Sequence, residues 1–154
     1  MASIATTNEV IESTVIKAPL AQVWHLIKLP EFHKFWSAIK KTEKVTGVSD
    51  ETDVVRWHFK DGSKVEVKQD EHSNLAHFIT FSVILAEPAL TYSGVVNTIR
   101  CWPVTAGDCE NSTFVEWTSK FTSDADLGVI QDAKYKRRDA LKDLADAAHK
   151  GVRD

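Results

Sequence analysis

Cysteine is scarce in this chain. Cys101 and Cys109 are the only two, too few for a disulfide framework, and they read as reduced thiols of a cytoplasmic protein. No apolar run approaches the ~20 residues that a membrane-spanning helix needs. The opening residues, Met1 to Asn8, carry neither a basic segment nor an apolar one, so no signal peptide is read there. Basic residues are not in excess either. Nineteen Lys and Arg against 22 Asp and Glu leave a net charge of −3, and no basic stripe interleaved with aromatics is present, which argues against a nucleic-acid partner. Gly62, Gly94 and Gly107 stand alone, so no phosphate-cradling loop is formed. His25, His33, His72, His77 and His149 are scattered. None joins a His or Cys neighbour at ligand spacing, and neither a metal nor any other cofactor is expected.

Repeats, low-complexity tracts and internal linkers are also missing. A length of 154 residues, 43% of them hydrophobic, suits one domain with an ordinary core. The whole chain, 1–154, is read as that domain, with a core over about residues 10–149.

What is present is a long helix and many strands. From about Asp124 to His149 only Gly128 interrupts a helical pattern. Leu127, Ile130, Ala133, Ala140, Leu141, Leu144, Ala147 and Ala148 fall mostly on one side. Such a helix is about 37 Å long and needs a surface to lie on. Its first half is unusually polar, with Gln131, Asp132, Lys134 and the run Lys136 to Arg138. That half reads either as a solvated face or as a basic entrance for an anionic amphiphile.

The preceding residues supply the surface. Val10 to Lys17 suits a first strand. Pro19 opens a short helix through Ile27, Pro30 stops it, and a second short helix or turn covers Glu31 to Phe35. Six strands follow, at Ile39 to Val45, Val54 to Lys60, Lys64 to Glu71, Ala76 to Leu85, Tyr92 or Gly94 to Pro103, and Ser112 to Thr122. Gly47 to Asp53 reads as a turn region, and Asp61-Gly62 as a hairpin turn with positive φ at the glycine. Hairpin-length connections make the sheet antiparallel. The fold expected is α+β: a seven-stranded curved antiparallel sheet around a C-terminal helix, with two short helices after strand one.

This order resembles the START/Bet v 1-like superfamily, the helix-grip or SRPBCC fold. The residues that carry the likeness are Ile16 to Leu29, Trp36, Val55-Arg56, Asn97-Thr98-Ile99-Arg100 with Trp102-Pro103-Val104, and Thr113 to Trp117. The branch it most resembles is polyketide cyclase/dehydrase-like, with lachrymatory-factor synthase and abscisic-acid receptors as relatives. The resemblance implies a hydrophobic cavity between sheet and helix. It places Arg56 inside the cavity and Glu66 at a cavity glutamate. Glu116 falls at an internal acidic position. Counting on without gaps brings Tyr92 onto a functional tyrosine, whereas aligning on the Asn97 motif brings Val95 there instead. A hormone receptor is not expected. The hairpin Lys60-Asp61-Gly62-Ser63 lacks the receptors' Ser-Gly-Leu-Pro gate, and their ligand-binding lysine falls near Trp36.

In strand three, Val54, Arg56, His58 and Lys60 share one face, and Trp57 and Phe59 share the other. The candidate catalytic residues are Arg56, Glu66 and Tyr92. Glu66 would move a proton, Arg56 would hold an oxyanion, and Tyr92 would donate to a carbonyl or enol oxygen. Alternatively, Arg56 pairs with Glu66 across adjacent strands and only shapes the pocket. Trp36, His58, Phe78 and Glu116 are the candidate ligand-binding residues. Two functions follow: a carrier or sensor of a small hydrophobic or amphipathic molecule, or a cofactor-free cyclase, dehydratase or isomerase. A monomer or weak dimer is the expected assembly.

Overall fold

The structure is a computed structural model that describes residues 8–45 and 53–150. Apart from Asp53, the turn expected over Gly47 to Asp53 lies outside the described residues. The elements run β1 (Glu9–Ile16), α1 (Leu20–Trp24), a 3₁₀ helix (Leu29–Lys34), β2 (Ile39–Lys44), β3 (Val54–Phe59), β4 (Lys64–Ser73), β5 (Phe78–Glu87), β6 (Val95–Pro103), β7 (Thr113–Phe121) and α2 (Leu127–Lys150). The strands form one antiparallel sheet in the order β1-β7-β6-β5-β4-β3-β2. Register shifts between Ile39 and Lys41, Glu66 and Val67, and Gln69 and Glu71 mark irregularities in β2 and β4. Bulges of this kind bend strands and increase twist, which lets a sheet wrap a helix. The architecture is the helix-grip fold.

Two local details differ from the sequence reading. α1 is shorter than expected, ending at Trp24, and Pro19 occupies its N-cap rather than its first turn. Pro30 does not stop that helix; it lies in the first turn of the 3₁₀ segment, where a missing N–H costs nothing. Gly62 has φ +92° in the β3–β4 turn, as the hairpin requires. Asp126 precedes α2 and accepts the Val129 N–H at 2.9 Å, satisfying a donor that the helix leaves free.

The core divides along α2. Its C-terminal half buries Ala140, Leu141, Leu144, Ala147 and Ala148 against Ile16, Leu29, Phe32, Ile99 and Val115. Phe32 stacks on Trp57 at 4.8 Å between ring centres, and Trp36 meets Trp57, Phe59 and Trp117 edge-on. These large rings close that end of the molecule. The N-terminal half is different. Ile130 and Ala133 touch a smaller cluster of Val10, Val95, Phe121 and Ala125, and beside them the helix and sheet stand apart.

Candidate functional site

The space left there is a cavity of about 610 Å³. Its walls follow from strand alternation: Trp57 and Phe59 of β3, Val65 of β4, Phe81 and Val83 of β5, Val95 and Asn97 of β6, Trp117 and Phe121 of β7. Trp36, the loop Pro88 to Tyr92, and Val129, Ala133 and Arg137 of α2 complete it. Charged side chains gather at the rim. Lys64 Nζ pairs with Glu87 at 3.2 Å and Lys136 Nζ with Asp132 at 2.8 Å. Asp61 accepts from the Ser63 N–H at 2.8 Å and the Ser63 hydroxyl at 2.6 Å; these bonds and the charge of Lys136 hold its carboxyl below the usual range.

Arg137 reaches inward from α2 to the sheet. Asn97 and Ser119 are register partners on β6 and β7 and are 1% and 0% exposed, so they put two polar atoms into an otherwise apolar inner face. The Ser119 hydroxyl and the Trp117 indole N–H both donate to Asn97 Oδ1, at 2.6 and 3.1 Å. Arg137 Nε donates to Ser119 Oγ at 3.0 Å, and Nη2 donates to Asn97 Oδ1 at 3.1 Å. The guanidinium carbon sits 5.4 Å from the Trp117 ring and 5.9 Å from the Phe121 ring, within cation–π range. Among the described residues, no carboxylate forms an ion pair with Arg137. Burial lowers its pKa from 12.5 to about 10, with the charges of Tyr92 and Asp132 opposing the fall. Desolvation disfavours the charged form of this half-buried guanidinium.

Tyr92 lines the same cavity, half-buried, with its ring edge-on to Phe121 at 5.4 Å. Burial raises its phenol pKa, against the influence of Arg137, so at neutral pH it is a hydrogen-bond donor. Trp36 is a wall residue as well, as are both Tyr92 and Val95 of the competing registers.

The other candidate positions lie elsewhere, and the expectation that they face the cavity is corrected. Arg56, His58 and Glu66 sit on the opposite face of the sheet, because Trp57, Phe59 and Val65 take the inward positions. Burying two large rings gains far more than burying a guanidinium and an imidazole. On the outer face Arg56 Nη2 bonds Glu66 at 3.0 Å, Arg56 Nη1 bonds Glu43 at 3.2 Å, and His58 Nε2 meets Glu43 at 2.6 Å. Hydrogen bonds from His58, then Arg56, hold Glu43 below its usual range, and Glu66 followed by Glu43 raises Arg56 further. Phe78 and Glu116 are also on the outer face, since Ile79, Phe81 and Trp117 point inward. Phe78 lies under the Arg100 guanidinium at 4.6 Å, and Glu116 is the register partner of Arg100. Among the described residues, no three His, Cys, Asp or Glu side chains come together as a metal-binding group. No helix among them is long and apolar enough to cross a membrane.

The sequence matches the family described as "Polyketide cyclase / dehydrase and lipid transport" over residues 7–149. The chain belongs to that family. No curated protein matches it. Among solved structures, XoxI of Bacillus cereus is 21% identical with a TM-score of 0.79, and the alignment covers 94% of this chain and 97% of XoxI. The Zhui aromatase/cyclase of Streptomyces sp. is 15% identical at a TM-score of 0.70, covering 92% and 93%. The di-domain aromatase/cyclase StfQ, of the steffimycin pathway, is 18% identical at a TM-score of 0.74, covering 92% of this chain and 45% of StfQ. At these identities the likeness is one of fold. Within this polyketide cyclase/dehydrase-family chain, the sequence reading made no site residue of Asn97 or Ser119, and took Arg137 only within the run Lys136 to Arg138 as one reading of a basic entrance. A signal for them existed. Asn97 breaks the apolar series Val95, Ile99, Cys101, and Ser119 breaks the series Val115, Trp117, Phe121. Polar residues at inward strand positions need an inward partner.

Proposed function

We propose that this protein binds a small, mostly apolar molecule in the cavity between the sheet and α2, as a carrier or sensor. The observation that carries the reading is the cavity itself. Its volume of about 610 Å³ lies within the usual range for small-molecule sites, and its lining is aromatic and aliphatic with a few convergent polar groups. Trp36, Trp57, Phe59 and Trp117 supply aromatic lining for a ring or chain. Membership of a family that spans cyclases and lipid transport supports the same site.

The neutral dye N-phenyl-1-naphthylamine, which brightens in apolar surroundings, tests it. Saturable binding with one-to-one stoichiometry is expected in the wild type. Ala133→Trp, which fills the cavity from α2, should abolish it while the melting temperature stays close to wild type. Absence of saturable binding to the wild type would refute the reading.

A second reading, a cofactor-independent cyclase, dehydratase or isomerase, is favoured by one observation. A neutral phenol, Tyr92, and a cation, Arg137, line one apolar cavity and suit stabilisation of an enolate oxygen. Arg56 and Glu66 would take no part, because their heads lie across the sheet. Turnover of a small polyketide-like substrate that Tyr92→Phe and Arg137→Met both remove would support this reading over a carrier. Turnover that survives both changes would rule it out.

A further inference from the structure

We propose that the cavity selects ligands that carry a carboxylate, and that Arg137 is the residue that receives it. This rests on the reading of the cavity as a ligand site and adds the chemical class of what enters. A guanidinium has two hydrogen-bonding edges. Nε and Nη2 of Arg137 form one edge, and it is spent on the neutral oxygens of Ser119 and Asn97. Nη1 and the second Nη2 hydrogen form the other edge, which no hydrogen bond among the described residues occupies. That edge is the geometry in which a planar carboxylate binds bidentately.

The neighbours of Arg137 hold the fork in place without satisfying its charge. The Asn97 and Ser119 side chains are fixed by the sheet and by Trp117, so the guanidinium is pre-organised before a ligand arrives. Asp132, the acid of its own helix whose charge acts on Arg137, is engaged by Lys136 at the rim. From the sheet side Asn97, Ser119, Trp117 and Phe121 face it, and from the β5–β6 loop Tyr92 does; none of these bears a charge at neutral pH. A half-buried cation whose hydrogen bonds go only to neutral oxygens is costly for the empty protein. The cost is offset when an anionic head enters with its apolar tail against Trp36, Phe59, Phe81 and Trp117.

A matched pair of probes decides it. Decanoate and decan-1-ol share a chain length and differ in head group, and each is titrated against bound N-phenyl-1-naphthylamine at pH 7.5. The expected result is displacement by decanoate at a concentration about ten- to a hundredfold below that of decanol, the effect of a charge-assisted pair. Arg137→Met should erase that preference while dye and decanol still bind, which shows that the variant is folded and its cavity open. Arg137→Lys, with the charge but not the fork, should retain part of it. Decanol competing as well as decanoate in the wild type, or a preference that survives Arg137→Met, would overturn the proposal and leave the cavity reading standing. Failure of the dye itself to bind would remove both.

Discussion

Two arginines of this fold meet opposite fates. Arg56 lies on the outer face of β3, where Glu66 and Glu43 both accept from it and its side chain is 33% exposed. Arg137 lies on the inner face of α2, held by neutral oxygens and two aromatic rings, with no carboxylate partner among the described residues. The first is a closed account of charges, a strand-to-strand tie of a kind worth little at a surface. The second is an open one.

The largest expected effect separates the two residues by function. Arg137→Met should cost a carboxylate ligand about ten- to a hundredfold in affinity, whereas Arg56→Leu should leave it within about twofold, measured by displacement of a cavity-bound dye. Loss of binding in Arg56→Leu with unchanged melting would break the comparison. Next in size is the packed half of α2, which marks what a purely structural side chain does. Leu144 is 2% exposed, and Leu144→Ala should destabilise by about 2–5 kcal/mol in urea unfolding with no selective change in head-group preference.

Stability should then move in opposite directions at the two arginines. Removing the uncompensated charge with Arg137→Met should raise stability by about 1 kcal/mol, because Asn97 and Ser119 keep each other and Trp117 as partners. Arg56→Leu should lower the melting temperature slightly, since it strips a partner from Glu66, whose side chain is only 13% exposed. A fall in stability for Arg137→Met would recast Arg137 as a structural residue.

The pH dependence follows from the same contrast and is smaller in the accessible range. Glu43 is held below 4.5 by His58 and Arg56. A carboxylate lowered in the folded state contributes stability above its ordinary pKa and loses it as pH falls through the folded value. The outer cluster should therefore weaken below about pH 4.5, and Glu43→Gln should flatten that limb of a pH–melting curve. Inside, the pKa of about 10 at Arg137 means that binding of a permanently anionic probe such as decanesulfonate stays level from pH 6 to 9. A decline centred near neutrality would assign the anchor to another group.

Most of the fold was legible because alternation and helical spacing are local. All seven strands and the long helix fall within about three residues of where the sequence pattern places them. Which face of β3 points inward was not, although its own alternation held the answer. Trp57 and Phe59 are the residues a core takes, but the family likeness pulled Arg56 inward against that pattern. Arg137 was out of reach for another reason. Lys136, Arg137 and Arg138 are consecutive on a helix and point about 100° apart. Arg138 bonds Glu12 of β1 and Lys136 bonds Asp132. Which of the three turns inward is settled by Asn97 and Ser119, about 40 and 18 positions away, and such pairings are properties of the tertiary structure.

The central claim is that Arg137 keeps an unused guanidinium edge for an anionic head group inside the cavity. Side-chain ¹H–¹⁵N NMR of the arginine groups during a decanoate titration addresses it at the atoms concerned. The Arg137 Nε and Nη signals should shift saturably, with Nη rotation slowed, while those of Arg56 stay in place. Shifts confined to Arg56 or to surface arginines, with Arg137 silent at saturating decanoate, would contradict it.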